Sequence, residues 1–584
     1  MYYHYSKQDT REVIKMNLYK YVSESVNEKL GTSVNLEVPR NREFGDFATN
    51  AAMVMAKTAG KNPRELAAEI SPKLAELPFV AATSIAGPGF INIKLKDEFI
   101  WDSARHATDV TPAADPMIID LDYGAYNVAK SLHIGHLRTS IVGDTFNRIA
   151  KLLGHKTYSW NHMGDWGKPM ALIIAWIERM HPELPYFQDN FDPNTTVDFE
   201  INPDELNTYY PAASQFAREN PEFQSHAQEI KARFQDGHAG YFALYEKFLQ
   251  ISLDMMNDTV RRLNILPFDY DLGERNAAKY LNDVEKILRE KNLIQPSNGA
   301  EVIVVKKDTD NAPMPPYMWT DSRGADTYDS TDLAAVYCRK KTDNPDKIIY
   351  FTDLRQSLHF EQLFRAADMS GIFKYSDFEH IGYGTINGAD GRPFKTRDGN
   401  AAGLDDIIDV ANTAVNARVR ESGKNLDSDT VSAIALAAVK FNDLAHDVRS
   451  DYIFDPNQIT SFEGRTGPYI LYTAVRLNSV LKKSTVAESE NYYPITSDER
   501  QLLIGILDFE RTLYSAFDNR ATDMIANYAY DLCQLINTFY HNCPILRDDI
   551  DPATRGARLH IARIARDTLA KTIDLMGLKI PAEM

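Results

Sequence analysis

The chain has 584 residues, 44% of them hydrophobic, and a formal net charge of −18 at pH 7. That length predicts several domains with real cores, and no run of about eighteen uncharged apolar residues marks a membrane span. The acidic balance speaks to solubility and steering and does not exclude nucleic acid, because phosphate is met by local basic patches. The N-terminal Met1-Tyr-Tyr-His-Tyr-Ser-Lys7 has no apolar segment of the secretory kind. The three cysteines, Cys338, Cys533 and Cys543, are too few and scattered for a disulfide framework, so a reducing cytoplasm is the expected setting.

In chain order, residues 1–110 read as a small α/β unit. An alanine- and methionine-rich helical pattern runs from Asn50 to Leu66, and a Gly87-Pro-Gly89 turn leads into an alternating strand. Residues 111–409 begin with the apolar run Met117–Leu121, expected as a buried parallel strand, followed by a helix from Leu137 to Leu153 that ends at Gly154. From about 180 to 265 the pattern is polar and helical, with Pro182, Pro185, Pro193, Pro203 and Pro211 breaking its early part, as in an insertion between two halves of a sheet. The second half is suggested by Ala300–Val305 and Lys347–Phe351. Residues 410–584 are overwhelmingly helical. There is no internal repeat or low-complexity tract.

The loop between the first strand and its helix carries the densest chemistry. A ligand in an open α/β sheet sits beyond the carboxyl ends of the strands, and the N–H groups of a helix start attract phosphate. Here His133 and His136 share one face of the first turn, where neutral imidazoles can donate to phosphate oxygens. Gly135 between them leaves room for a flat base. On spacing alone such a pair is more often two ordinary helix histidines, or half of a zinc site, than a nucleotide site. No cysteine lies within a hundred residues and no His-Glu-x-x-His occurs, so zinc is disfavoured and no residue is assigned to a metal.

The wider context resembles a known family. Asn127-Val-Ala-Lys-Ser-Leu-His-Ile-Gly-His-Leu-Arg138, Ile141-Val-Gly-Asp144, Gly154-His-Lys156 and Asn161-His-Met-Gly-Asp-Trp-Gly167 resemble a class I aminoacyl-tRNA synthetase, specifically an arginyl-tRNA synthetase. The likeness runs from about Arg42 to Met584. It implies a Rossmann-like catalytic domain with a small N-terminal α/β domain that touches the tRNA D-loop and a C-terminal all-helical anticodon-binding domain. It also implies a two-step reaction. Arginine's carboxylate attacks the α-phosphate of ATP, and the arginyl group then passes to the terminal ribose of tRNA(Arg), with Mg²⁺ accompanying ATP. Neither step needs an enzyme nucleophile, so positioning and charge stabilisation carry the catalysis.

On that resemblance His133, His136 and Lys130 face the phosphates. The second class I signature is degenerate here, Phe394-Lys395-Thr396-Arg397, with threonine where its second lysine belongs. Lys130 is the expected substitute, and Lys395 and Arg397 add charge. Gly135 and His380, Gly382 and Gly384 of Glu379-His-Ile-Gly-Tyr-Gly384 are expected at ATP. A guanidinium calls for planar, bidentate carboxylate acceptors. The resemblance singles out Glu274, and Tyr328 with Asp332, which share a face if that segment is helical. It gives the α-amino end to Asn127 and Gln356, with Asp122 closing the pocket. Gly124-Ala-Tyr-Asn127 departs from the family's Ser-Ser-Pro-Asn or Ser-Ala-Pro-Asn.

In the C-terminal part, Ala438–Leu444, Asp451–Asp455 and Glu463–Arg476 resemble the anticodon-binding domain. Its Asp-Ala-Leu-Arg signature stands here as Thr473-Ala-Val-Arg476. Tyr469, Tyr528, Tyr540 and Met584 are the expected anticodon neighbours, since exposed aromatics can stack unpaired bases. The expected acting species is a monomer. Two other readings stay open: a different class I synthetase, which the acidic candidates oppose, and a tRNA-binding paralogue without catalysis, which intact His133, His136 and Lys130 oppose.

Overall fold

A computed structural model of the chain describes residues 18–39, 44–130, 132–388, 390–392, 394 and 403–584. It divides into two compact units, one drawn from residues up to 114 with 424–441 and 460–584, the other from 115–423 with 442–459.

In the first unit, β1 (Leu36–Glu37), β2 (Phe47–Thr49), β3 (Val80–Ala86) and β4 (Phe90–Leu95) form an antiparallel sheet in the order β1-β2-β4-β3. The β3–β4 hairpin turns through Gly87 and Gly89, both at positive φ (53° and 141°), a region closed to most side chains. The helical pattern expected from Asn50 to Leu66 is two helices, Ala51–Ala59 and Pro63–Ala75. Gly60 at φ 64° ends the first, and Asn62 caps the second by accepting from Arg64 N at 2.9 Å. Later in the chain this unit contains the helices Gly467–Lys483, Ser497–Asp518, Asp523–Asn542 and Pro552–Leu575. Arg500 ties one of them to the sheet: its guanidinium grips Asp46 with bonds of 2.9 and 2.7 Å and reaches Asp97 at 2.7 Å.

The second unit is built on a parallel sheet of β5 (Ile118–Asp122), β6 (Lys156–Asn161), β7 (Tyr270–Asp271), β11 (Lys347–Asp353) and β12 (Phe378–Tyr383), in the order β12-β11-β5-β6-β7. The chain runs outward from β5 on one side and later returns to its other side, so β5 and β11 border a topological switch point. Between β6 and β7 lie the helices Pro203–Glu219, Pro221–Gln235 and Ala239–Arg262, whose inner faces (Leu206, Phe234, Tyr241, Tyr245 and Phe248 among them) pack into a core of their own. One expectation is corrected. The Ala300–Val305 segment does not extend the parallel sheet; β8 (Ile294–Ser297), β9 (Ala300–Ile303) and β10 (Tyr317–Thr320) make a separate antiparallel sheet, because β8 and β9 are joined by a tight Asn298-Gly299 turn, with both residues at positive φ.

The helix Ile134–Leu152 follows β5 and is buried along most of its length. Gly143 lets it lie against Tyr123, where a Cβ would fall 2.2 Å from that side chain. Arg138, 1% exposed, forms an ion pair with the fully buried Asp443 at 2.9 Å and donates to the carbonyls of Gly384 (3.0 Å) and Ser450 (2.9 Å). Residues 442–459 thus pack with the sheet-bearing unit although their sequence neighbours are helical. Removing one member of a buried ion pair leaves the other uncompensated, which costs about 3–5 kcal/mol. Arg138→Met is therefore expected to lower stability by that order, read from denaturant unfolding of the second unit's transition, and a loss under about 1 kcal/mol would contradict this role.

Candidate active site

The loop leaving β5 is held in a costly shape. Ala125 and Ala129 stand at φ 51° and 56°, a left-handed conformation unusual for residues other than glycine, asparagine and aspartate. Its backbone is fixed from the neighbouring strand: Asn161 Oδ1 accepts from Tyr126 N (3.3 Å), Gly164 N donates to Tyr126 O (3.0 Å), and Val128 N donates to Gly164 O (3.3 Å). Gly164 has to be small, since a Cβ there would meet Asn127 Oδ1 at 2.6 Å. Tyr126, which stands where the resemblance leads one to expect proline, is fully buried between His136 and Phe268 and bonds Ser140 at 2.8 Å. The departure at 124–126 is thus a packing solution that leaves Asn127 on the loop.

His133 is the N-cap of the helix Ile134–Leu152: its Nδ1 accepts from Gly135 N (3.1 Å), while His136 Nδ1 accepts from His133 N (3.0 Å). The two rings stack with centroids 4.0 Å apart. Burial pushes His136 down to about 3, and burial with the nearby Lys130 lowers His133, so both are neutral at pH 7. His133 is open to solvent although its surroundings withdraw part of its hydration, whereas His136 is buried. Lys130 is half-buried, with its ammonium 4.5 Å from the centre of the Tyr210 ring, and burial lowers its pKa.

Beyond the carboxyl ends of β5 and β11 lies a cavity of about 450 Å³. Four of the expected arginine-binding residues line it: Asp122, Tyr328, Asp332 and Gln356. Tyr328 and Asp332 lie one turn apart at the start of the helix Tyr328–Thr342. Asn127 is not part of the lining, and Glu274 stands behind it, close enough to interact with His162 and Asp332. Sequence reasoning missed His162, Ala125, Tyr350, Thr352, Arg355, His359 and Phe360, which complete the wall. His162 sits inside the segment already singled out, Asn161–Gly167, and His359 lies three residues beyond Gln356, and that was the one available signal.

The electrostatics of this wall are graded. Asp332 faces His359 Nε2 at 2.8 Å and His162 Nε2 at 3.4 Å, and His359 Nδ1 faces Asp329 at 3.3 Å. Burial opposes charge on all three groups. The pairing outweighs it, holding Asp332 well below the usual carboxylate range and His359 up at about 9. Asp122 is already matched: it accepts from Arg339, 1% exposed, whose guanidinium lies 5.1 Å from the rings of Trp160 and Tyr350. Asp120, two residues back on the same face of β5, is pushed up to about 8 by burial and so keeps its proton at pH 7.

Other expectations are corrected. Gly382 and Gly384 are buried, and the space a side chain would take is filled by protein: a Cβ on Gly382 would meet Leu354 at 2.6 Å, and one on Gly384 would meet the Ser450 backbone at 2.5 Å. Close approach is needed there by Leu354 and Ser450. His380 stacks on Phe360 (centroids 4.6 Å) and bonds Thr352 Oγ1 at 2.9 Å; burial lowers it to about 4. Lys395 and Arg397 lie outside the described residues. In the first unit, Tyr528 cannot stack a base, because it is buried with its hydroxyl donating to Gly505 O at 3.0 Å. Tyr540 is 39% exposed and Tyr469 half-buried, with Arg476 lying 5.3 Å from the Tyr540 ring. The Tyr469 hydroxyl accepts from Gln534 (2.8 Å) and Asn537 (2.7 Å), and the Met584 carbonyl accepts from Lys424 at 2.9 Å.

The chain matches three family descriptions: "Arginyl tRNA synthetase N terminal domain" over residues 11–95, "tRNA synthetases class I (R), catalytic domain" over 105–456, and "DALR anticodon binding domain" over 470–584. Curated relatives named arginine–tRNA ligase include those of Alkaliphilus oremlandii, 35% identical across 92% of this chain and 94% of the relative, and Hyphomonas neptunium, 36% identical across 93% and 94%. Among solved structures, the arginyl-tRNA synthetases of Thermus thermophilus (TM-score 0.79, covering 97% of this chain and 100% of that one) and Plasmodium falciparum (0.78, 99% of each) share the fold at 22% identity.

Glu274 yields a pH-dependent expectation. Burial, opposed in part by His162 and reinforced by Asp332 and Asp165, pushes its carboxyl from 4.5 up to about 7. The folded protein then keeps a proton that the unfolded chain has already lost, so stability falls as pH rises from about 4.5 through about 7. Glu274→Gln is expected to melt a few degrees above the parent at about pH 8 and level with it below about pH 5 in a thermal scan. A gap of the same size at both pH values would contradict the shift.

Proposed function

This chain belongs to the class I arginyl-tRNA synthetase family and is an arginine–tRNA ligase, and from that premise we propose how its residues divide the work. The enzyme activates L-arginine with ATP and transfers the arginyl group to the 3′-terminal ribose of tRNA(Arg). The proposed guanidinium acceptor is Asp332, assisted by Glu274 and by Tyr328 at the cavity mouth, and Gln356 and Asn127 receive the α-amino end. Asp122 shapes this pocket with its charge already balanced by Arg339. The observation that carries the assignment is a carboxylate kept ionised in the wall of a cavity at the switch point, where a planar fork of N–H donors finds its complement.

For the nucleotide, we assign His133 and His136 as neutral donors to phosphate, Gly135 to close approach, and Lys130 as the cation replacing the lysine lost at Thr396. His380, behind Phe360 and Thr352, supports the ATP side of the wall. Lys395 and Arg397 are proposed to add positive charge. Mg²⁺ is proposed to arrive with ATP, and no carboxylate of this chain is assigned to it. Among the described residues, one trio brings metal-type ligand atoms together, Glu488, Glu490 and His560. Glu488 there already accepts from His560 and Arg563, at 2.7 Å each, so it reads as a salt-bridge knot.

The functional division proposed is 1–110 for the tRNA corner, 111–409 for catalysis with an acceptor-stem insertion at about 180–265, and 410–584 for the anticodon, read by Tyr469, Tyr540 and Met584. With every module in one chain, a monomer is the proposed acting species. The described residues include no helix long and apolar enough to cross a membrane, and three buried free cysteines fit a reducing cytoplasm.

Arginine-dependent ATP–pyrophosphate exchange, with and without tRNA(Arg), tests this reading. Exchange is expected with cognate tRNA and should fall by about 100-fold in Lys130→Ala, the scale of losing one charged donor to a reacting phosphate. Undiminished exchange in Lys130→Ala would remove the lysine from the site. Exchange with another amino acid would overturn the specificity, and none at all despite tRNA binding would mark an inactive paralogue.

A further inference from the structure

We propose that His162 and His359 are positioning residues for the arginine side chain: together they clamp Asp332, and the incoming guanidinium displaces His162 from it and expels the proton that ring carries. This rests on the reading that Asp332 receives the guanidinium.

The geometry makes the two imidazoles unequal. A guanidinium binds a carboxylate best through both oxygens, yet each oxygen of Asp332 already faces a ring nitrogen. His359 is anchored at both ends, by Asp332 at 2.8 Å and Asp329 at 3.3 Å. Asp329 is in turn fixed by Met318 N at 3.0 Å, and the His359 ring lies against Tyr328 and Phe360. His162 has only the long 3.4 Å contact, and its Nε2 has no hydrogen bond of good geometry. The ring that yields is therefore His162.

The charges facing His162 come from four elements: Asp332 and Arg339 on the helix Tyr328–Thr342, Asp122 on β5, Glu274 at the start of its own short helix, and Asp165 on the same loop. Burial works against its charged form, and Asp332 is the largest influence in its favour, with Arg339 opposing. A guanidinium on Asp332 cancels that influence and adds a cation beside the ring, so the proton leaves. Arginine then binds more tightly as pH rises through the range in which free His162 loses its proton, by up to about tenfold per pH unit for one linked proton. His359 stays bonded and keeps Asp332 aimed at the cavity.

Glu274 is a second proton source, so the test is made in Glu274→Gln. L-Arginine is titrated calorimetrically near pH 7 into this full-length variant in buffers of different protonation enthalpy. Proton release is expected to persist in Glu274→Gln and to vanish in Glu274→Gln/His162→Gln. Citrulline, uncharged at the same end, is expected to release none. His359→Gln is expected to raise KM for arginine far more than it lowers kcat. No proton release in Glu274→Gln, or equal release once His162 is replaced, overturns the proposal. Asp332→Asn separates the two readings: unchanged arginine affinity would sink the pocket assignment itself, whereas lost affinity without proton release from Glu274→Gln sinks only the clamp.

Discussion

A carboxylate that must meet a guanidinium inside a protein has to stay ionised while partly withdrawn from water, and the surroundings of Asp332, the proposed acceptor, answer that constraint. Left alone, burial would neutralise it, as burial does to Asp120 and partly to Glu274. The difference is a pair of imidazoles, one held in its charged form by a second carboxylate. Asp122 meets the same constraint differently, through an internal arginine between two aromatic rings. Asp332 and Asp122 in the wall, with Glu274 behind it, thus have three charge states: ionised between two imidazoles, paired with an internal arginine, and shared with a proton near pH 7. Of the three, the proposed function gives the cationic side chain to the first.

The scaffold that presents these groups is conformationally demanding. Two alanines in the left-handed region within five residues cost of order 1–3 kcal/mol each, and the buried Tyr126 and the Asn161 and Gly164 contacts hold them there. Gly124 is small for a concrete reason: a Cβ would lie 2.2 Å from Asn161 Oδ1. The loop accommodates Tyr126 because its ring goes inward, against His136, while the polar face of the loop keeps its shape.

What the sequence disclosed follows the range of the interactions involved. β5, the helix after His133 and the insertion helices are local patterns, readable from periodicity and capping. Tyr328 and Asp332 were findable because four residues on a helix bring them to one face. The imidazole clamp was not, since it joins residues 27 and 170 positions away from Asp332, and no spacing rule spans such gaps. The Ala300–Val305 run suggested a strand but could not say which sheet it enters. Gly382 and Gly384 signalled close approach without naming the approaching group. Tyr528 showed the same ambiguity, since aromatic residues at helical spacing pack inward as readily as they face a base.

The phosphate side works on a different balance. With His133 and His136 both neutral, Lys130, which rests over Tyr210, is the cation among the described residues that the proposed function sends to phosphate. Leaving that ring forfeits about 0.5–2 kcal/mol of cation–π attraction. A hydrogen bond from the ammonium to a phosphate oxygen contributes about 1.5–3 kcal/mol, and burial has already stripped part of the lysine's hydration. The two magnitudes are close, so in the proposed site an ammonium resting on Tyr210 would exchange that ring for phosphate at little net cost. A lysine fixed by a carboxylate at the same spot would be held too firmly to follow the phosphate.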